Sequence, residues 1–146
     1  MSSPEEPLPP TRDWVAEHAG RYLATDGADG YLWRGVPTLL LTTRGRRSGR
    51  LRRTPLIFGR DGDAYVVVGS WGGAPRHPSW YLNLSEDPEV TIQVGPEKMR
   101  ARASTVEGAR RDELWSRMAG IFPPYESYQE RTTRRIPIVA LEPIAS

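Results

Sequence analysis

The spacing of apolar residues changes near Pro37. From Asp13 onward, Trp14, Val15, His18, Ala19 and Tyr22 recur at steps of three and four, which predicts an amphipathic helix. Thr11 or Asp13 is the expected cap. The turn-forming run Thr25 to Gly30 (TDGADG) ends the helix. Beyond Pro37 come short runs rich in leucine, valine, isoleucine and threonine: Thr38 to Thr43, Thr54 to Phe58 and Ala64 to Gly69. The Asp61-Gly62 pair between two such runs signals a hairpin. A second hairpin joins Val90 to Val94 with Met99 to Val106 about Gly95-Pro96, and Ile136 to Glu142 reads as a last strand. Pro78 to Glu86 reads as a short helix with proline in its first turn. Glu107 to Phe122 reads as a longer helix with the stripe Leu114, Trp115, Met118, Ala119 and Phe122. Six short strands with few helices predict a small antiparallel barrel in an α+β domain.

Length and composition narrow this picture. A chain of 146 residues suits one domain. Residues 1 to 12 hold four prolines and two glutamates and read as a disordered tail, leaving 13 to 146 as the single domain. Hydrophobic residues at 38% and charged residues at 26% fit a folded, water-soluble domain. No apolar run approaches the ~20 residues of a membrane helix. No basic stretch followed by an apolar one opens the chain, so a secretory signal is not expected and a cytoplasmic location is. The absence of cysteine excludes disulfides, thiolate catalysis and cysteine-ligated metals. With only His18 and His77, no metal site is expected.

A net charge of +2 conceals an asymmetry. Arg44, Arg46, Arg47, Arg50, Arg52 and Arg53 fall within ten positions, and no acid lies between Asp29 and Asp61. The remaining chain carries 14 basic and 18 acidic residues. Uncompensated like charges repel unless an anion is bound, so the cluster is the first candidate for chemistry. Gly45 and Gly49 make TTRGRRSGRLRR a tight loop between strands rather than a helix. Converging backbone N–H groups, the Ser48 hydroxyl and bidentate arginines form an anion-binding loop, with a solvated basic hairpin tip as the alternative.

The second candidate, Gly69 to Tyr81 (GSWGGAPRHPSWY), runs from a strand end through a glycine pair to a helix start. That arrangement exposes backbone donors and lets a flat ring approach. Trp71, Trp80 and Tyr81 add aromatic surface, while the competing reading is a structural turn with core tryptophans. His77 has no neighbouring carboxylate to orient it and reads as a hydrogen-bonded residue rather than a general base. The third candidate, Phe122 to Tyr128 (FPPYESY), places Tyr125 and Tyr128 on one face if it is helical, as a polar wall or as core packing.

Taken together, TTxGRxSG, GGAPxHPxWYxNL and YxxYQxRT in this order resemble the deazaflavin-dependent nitroreductase family over about residues 12 to 143. The resemblance implies a split β-barrel of about six mostly antiparallel strands with a few flanking helices. It also implies an oxidoreductase that passes a hydride from reduced coenzyme F420, an 8-hydroxy-5-deazaflavin, to a quinone, nitroaromatic or enone. It places Arg46, Arg47, Ser48, Gly49 and Arg53 at the cofactor's phosphate and acidic tail, and Thr54, Pro55 and Leu56 beside its ring. Ser70, Trp71, Gly72 and Gly73 would meet the ring through backbone groups, with His77, Pro78, Trp80 and Tyr81 completing that wall. Ile57, Trp80, Phe122, Tyr125 and Tyr128 would face the substrate, and Tyr125 or Tyr128 would supply a proton. Some members carry tyrosine where this chain has Ile57 and Phe122, and often lysine where it has Trp71.

Three rival readings carry their own expectations. A flavin mononucleotide oxidoreductase of related fold would use a similar loop. A noncatalytic F420 carrier would bind without turnover. A nucleic-acid-binding module would explain pI ≈ 9.2, but no aromatics interleave the arginine run, so no nucleic-acid partner is expected. The expected partner is a small-molecule electron acceptor. A peripheral membrane contact through the N-terminal segment stays open, as does a monomer or weak homodimer.

Overall fold

The computed structural model describes residues 5–144; the remaining residues of the expected tail and C-terminus lie outside them. The fold is an α+β arrangement around one curled sheet. Helix α1 (Asp13–Ala24) is followed by strands β1 (Leu32–Trp33), β2 (Val36–Arg44), β3 (Leu51–Ile57), β4 (Gly59–Asp61) and β5 (Ala64–Val68). Helix α2 (Ser79–Glu86), the hairpin β6 (Glu89–Val94) and β7 (Glu97–Thr105), helices α3 (Gly108–Ile121) and α4 (Pro124–Glu130), and β8 (Ile138–Pro143) complete it. Neighbouring strands run β1-β2-β6-β7-β8-β5-β4, with β3 paired to β2. Every pairing of named strands is antiparallel. β3 and β4 are not paired, which leaves the barrel split.

Alternation along the strands builds two apolar layers. Leu39, Leu41, Tyr65, Val67, Ile92, Val139 and Leu141 fill the inside of the curl. Val66, Val68, Ile138 and Ala140 point the other way, against Leu114 and Met118 of α3 and Tyr125 of α4. All five residues of β5 are therefore buried, as expected for a strand covered on both faces. On the far side Leu40 packs on Ala19 and Tyr22 of α1. The fully buried Tyr22 hydroxyl accepts from Gly95 N at 2.6 Å and faces the carbonyls of Thr38 at 3.0 Å and Gln93 at 3.3 Å, which fixes α1 to the sheet.

All six runs read from the sequence form strands, and the two further strands, of two and three residues, are too short to carry a readable period. Three expectations are corrected. The Asp61-Gly62 turn joins β4 to β5, while the run expected to form that hairpin, now β3, pairs with β2. The residue capping α1 is Arg12, without a side-chain bond. Composition predicts a disordered tail, yet Leu8 docks in parallel on the open edge of β3: its N–H donates to Leu51 O at 2.8 Å and its carbonyl accepts from Arg53 N at 2.9 Å. An uncovered strand edge offers such bonds to any passing extended segment.

Candidate functional site

The basic run caps the β2–β3 hairpin, whose ladder closes at Arg44 and Leu51. Gly45 N donates to Arg50 O at 2.8 Å and Gly49 N to Gly45 O at 2.9 Å, which folds the tip back on itself. A Cβ at Gly45 would sit 2.7 Å from Ser48 Oγ and 3.1 Å from Arg50 O, so a larger residue there would have to displace the serine hydroxyl. Arg46 is tethered from behind. The buried Asn83 of α2 accepts from Arg46 N at 3.1 Å and from its guanidinium at 2.9 Å, and donates to Thr43 Oγ1 at 3.2 Å. The isolation of the arginines seen in sequence is only partial in space. Glu5 accepts from Leu51 N at 2.8 Å and pairs with Arg44 at 3.2 Å, while Glu6 lies 3.5 Å from Arg53. The Leu51 bond holds the Glu5 carboxyl below its ordinary range, with Arg44 adding to the effect. Arg46 and Arg47 form no ion pair among the described residues.

After β5 the chain turns through Ser70, Trp71, Gly72 and Gly73. Ser70 is right-handed at φ −77°, then Trp71, Gly72 and Gly73 take φ +42°, +60° and +80°. A tryptophan at positive φ costs about 1 kcal/mol or more and needs surrounding structure to hold it. A right-handed residue followed by left-handed ones forms a nest of adjacent N–H groups. The carbonyls of Ser70 and Trp71 are used by Gly73 N and Ala74 N, but no hydrogen bond among the described residues engages the N–H of Ser70, Trp71 or Gly72. Gly73 is packed so that a Cβ would sit 2.6 Å from Tyr128 O, which locks the turn onto α4.

The loop, the turn and an aromatic end share one cavity of about 740 Å³. Its aromatic end is a chain of rings: Trp14 stacks on Trp33 (6.3 Å between centroids), Trp33 meets Phe122 (5.8 Å), and Phe122 meets Tyr125 edge-on (5.0 Å) with Tyr128 next (6.4 Å from Tyr125). Tyr125 is 4% exposed, and among the described residues its hydroxyl has no protein hydrogen bond and no fully occluded side-chain oxygen is left unpartnered. The Tyr125 oxygen therefore keeps some access, on a residue that lines the cavity. Burial pushes its phenol well up, and the Tyr128 phenol adds to the effect.

The cavity gathers most of the residues nominated from sequence. Arg46, Arg47, Ser48, Arg53, Thr54, Pro55 and Leu56 line it on the β2–β3 side. Ser70, Trp71, Gly72, Pro78 and Trp80 line the turn side, and Ile57, Phe122, Tyr125 and Tyr128 the aromatic end. Gly49, Gly73, His77 and Tyr81 do not line it, a departure from the expected wall. Gly49 shapes the hairpin tip at φ +73°. His77 stands behind the turn, its Nδ1 3.0 Å from the Arg134 guanidinium and its ring 4.9 Å from that of Tyr81. Burial first, then Arg134, lowers its pKa and keeps it neutral. Tyr81 reaches Thr105 Oγ1 at 2.9 Å.

Sequence reading missed four contributors. Pro9 to Arg12 and Trp14 form part of the cavity wall, because the N-terminal segment is docked. Trp33 extends the aromatic end from a two-residue strand. Asn83 lines the cavity floor under Arg46 and Arg134 acts from behind, and only a polar residue beside Leu84 on the buried side of α2 could have flagged Asn83.

Comparison with known proteins identifies the family and the fold. The family model for F420H(2)-dependent quinone reductases matches residues 14–143. The F420H(2)-dependent quinone reductase Rv1261c of Mycobacterium tuberculosis is 41% identical over 141 residues, covering 88% of this chain and 95% of that protein. A solved F420-H2 dependent reductase (FDR-A) is 38% identical with a TM-score of 0.67, covering 73% of this chain and 94% of that one. A second solved chain, described as a domain-swapped dimer, is 37% identical with a TM-score of 0.70 and covers 89% of this chain and 98% of that one. The chain belongs to the F420H(2)-dependent quinone reductase family, and the split-barrel expectation holds.

Proposed function

We propose that this member of the F420H(2)-dependent quinone reductase family binds reduced coenzyme F420 in the shared cavity and reduces a quinone held at its aromatic end. The observation that carries the reading is the continuity of a basic loop, three open N–H donors and an aromatic wall in one cavity. Those features fit the cofactor part by part. Arg46, Arg47 and Arg53 suit a phosphodiester and carboxylates, offering bidentate donors that Ser48 supplements. Pro55 and Leu56 give a flat apolar side, and the Ser70–Gly72 nest gives donors to the electron-rich edge of a ring.

When bound, the cofactor supplies the hydride, delivered from C5 of its ring. The chain's own residues do the rest. Phe122, Trp33 and Ile57 exclude water from the acceptor side. Tyr125, protonated throughout the physiological range, presents its O–H at the cavity surface, where it donates to a quinone oxygen as negative charge builds there. Tyr128 stands beside it as the second donor. No protein nucleophile or metal is required, and among the described residues no group of three or more His, Asp or Glu could hold a metal.

The test mixes purified protein with reduced F420 and menadione and follows reoxidation of the deazaflavin, with a parallel arm using flavin mononucleotide. Turnover with the deazaflavin is expected. Binding of flavin alone, or no turnover with any quinone, would overturn the reading. Light scattering across a concentration series reports whether the chain is a monomer or a weak homodimer. Exposed Trp14 on the N-terminal helix offers an apolar point for peripheral membrane contact, which vesicle flotation checks.

A further inference from the structure

Arg134 lies between α4 and β8, outside the cavity, yet its guanidinium reaches the turn that faces it. Nε donates to Ala74 O at 2.8 Å, one terminal nitrogen to Gly69 O at 3.1 Å and the other to Ser70 O at 2.7 Å. The same nitrogen that meets Gly69 lies 3.0 Å from His77 Nδ1. Four of the five N–H groups of the fork are thus committed to one short segment. Among the described residues no carboxylate pairs with Arg134.

The residue is itself held firmly. Arg134 O accepts from Gln129 Nε2 at 2.8 Å, and Gln129 Oε1 accepts from Ile136 N at 2.9 Å. Gln129 belongs to α4, the helix that carries Tyr125 and Tyr128. The clamp therefore ties the turn to the helix bearing the acceptor-side tyrosines.

Peptide geometry then gives the clamp a direction. In a trans peptide the C=O and the N–H point to opposite sides, and no peptide here is cis. The carbonyl of Gly69 shares its peptide with the N–H of Ser70, and the carbonyl of Ser70 shares its peptide with the N–H of Trp71. Fixing both carbonyls on one guanidinium turns both N–H groups away from it. Those are two of the three donors left open, on residues that line the cavity. A cation at the carbonyl end also polarises both peptides, which strengthens their N–H ends as donors.

We propose that Arg134 is a positioning residue that aims the Ser70 and Trp71 N–H groups into the cavity as donors to the deazaflavin ring. It also fixes the left-handed turn at Trp71 and the neutral, Nε2-protonated form of His77. The assignment of the ring to this turn rests on the function proposed above; the clamp itself does not. Lysine cannot replace it, because one ammonium cannot span the carbonyls of Gly69, Ser70 and Ala74 as a planar fork does.

The test compares wild type, Arg134→Lys and Arg134→Ala in three measurements: thermal midpoint, F420 affinity by fluorescence titration, and steady-state kinetics with menadione. Arg134→Lys is expected to fold, to weaken F420 binding roughly tenfold or more, and to lower kcat while the KM for menadione changes little. Methylguanidine added to Arg134→Ala is expected to restore part of the lost binding, which a general loss of stability would not allow. Without any deazaflavin, the amide resonances of Ser70 and Trp71 are expected to shift in Arg134→Lys. Unmoved amides, or an Arg134→Lys protein with wild-type F420 affinity and kcat, would overturn the clamp. A wild-type protein that binds no F420 would overturn the functional reading while leaving the amide test to judge the clamp.

Discussion

Replacing Asn83 by aspartate changes charge at the anion loop with almost no change in shape. Asn83 is 3% exposed and uses its Oδ1 to hold both the backbone and the guanidinium of Arg46. Aspartate keeps that acceptor. Its second oxygen replaces the amide that faced Thr43 Oγ1 at 3.2 Å, and the threonine hydroxyl can rotate to donate instead. The loop therefore keeps its position, but one negative charge now sits behind it. A unit charge about 7 Å from a bound phosphate, at an effective dielectric between about 20 and 40, opposes binding by about 1–2.5 kcal/mol. That predicts F420 affinity weaker by roughly fivefold to seventyfold. Fluorescence titration of the deazaflavin against Asn83→Asp and wild type measures it, with circular dichroism to confirm an unchanged fold. The effect should persist at moderate salt, because a buried charge is screened less than a surface one. An Asn83→Asp protein that binds within twofold of wild type would refute the placement of the cofactor's anionic part at Arg46.

Three further expectations concern other parts of the cavity. Tyr125→Phe should leave F420 binding intact and lower kcat with menadione by roughly tenfold or more. Because burial raises the Tyr125 phenol above its ordinary value, the protonated form persists as pH rises, so the wild-type rate should show no loss from this group up to about pH 10. Gly73→Ala should destabilise the protein and weaken F420 binding more than Gly72→Ala: both have positive φ, but only at Gly73 would the new Cβ meet Tyr128 O at 2.6 Å. Thermal melts and titrations of the two variants decide this. The double variant Glu5→Gln, Glu6→Gln removes the two acids that pair with Arg44 and Arg53. It should bind F420 more tightly and with a steeper salt dependence, as titration at several ionic strengths would report.

The sheet was legible because its strands are long enough to show a period or an unbroken apolar run. β2 and β5 announce themselves, whereas Leu32–Trp33 and Gly59–Asp61 are too short to show either. The N-terminal tail misled for a different reason. Proline-rich composition reports that a segment cannot build its own core, not that a distant strand edge will accept it, as β3 accepts Leu8. The same docking brings Glu5 to Arg44 across 39 positions, so the acid-free window in sequence is not acid-free in space. The candidate residues that face the cavity lie in three compact segments that local chemistry singled out, while Thr54, Pro55, Leu56 and Ile57 were nominated only by the family resemblance. Asn83 and Arg134 act on backbone groups 37 and 60 or more positions away. A hydrogen bond to a remote backbone group leaves no mark in composition or spacing, so residues that hold the site in this way remain invisible until the fold is known.

That division suggests how the site partitions its work. On the function proposed above, the arginines of the hairpin tip set how tightly an anion is captured. On the same proposal Tyr125, carried on α4 beyond the turn, gives its proton only in a later step. Sites farther apart than about 7–10 Å with no shared partner act additively, within about 0.5 kcal/mol. Arg47 has no ion-pair partner and stands over no aromatic ring among the described residues. Arg47→Ala should therefore raise the Kd for F420 and flatten its salt dependence while leaving kcat at saturation unchanged. Tyr125→Phe should do the reverse, and the double variant should show the product of the two single effects on kcat/KM. A coupling larger than about threefold would mean that the loop and the tyrosine report on one shared conformational step. In that case the capture of the anion and the chemistry at the aromatic end could not be assigned to separate elements.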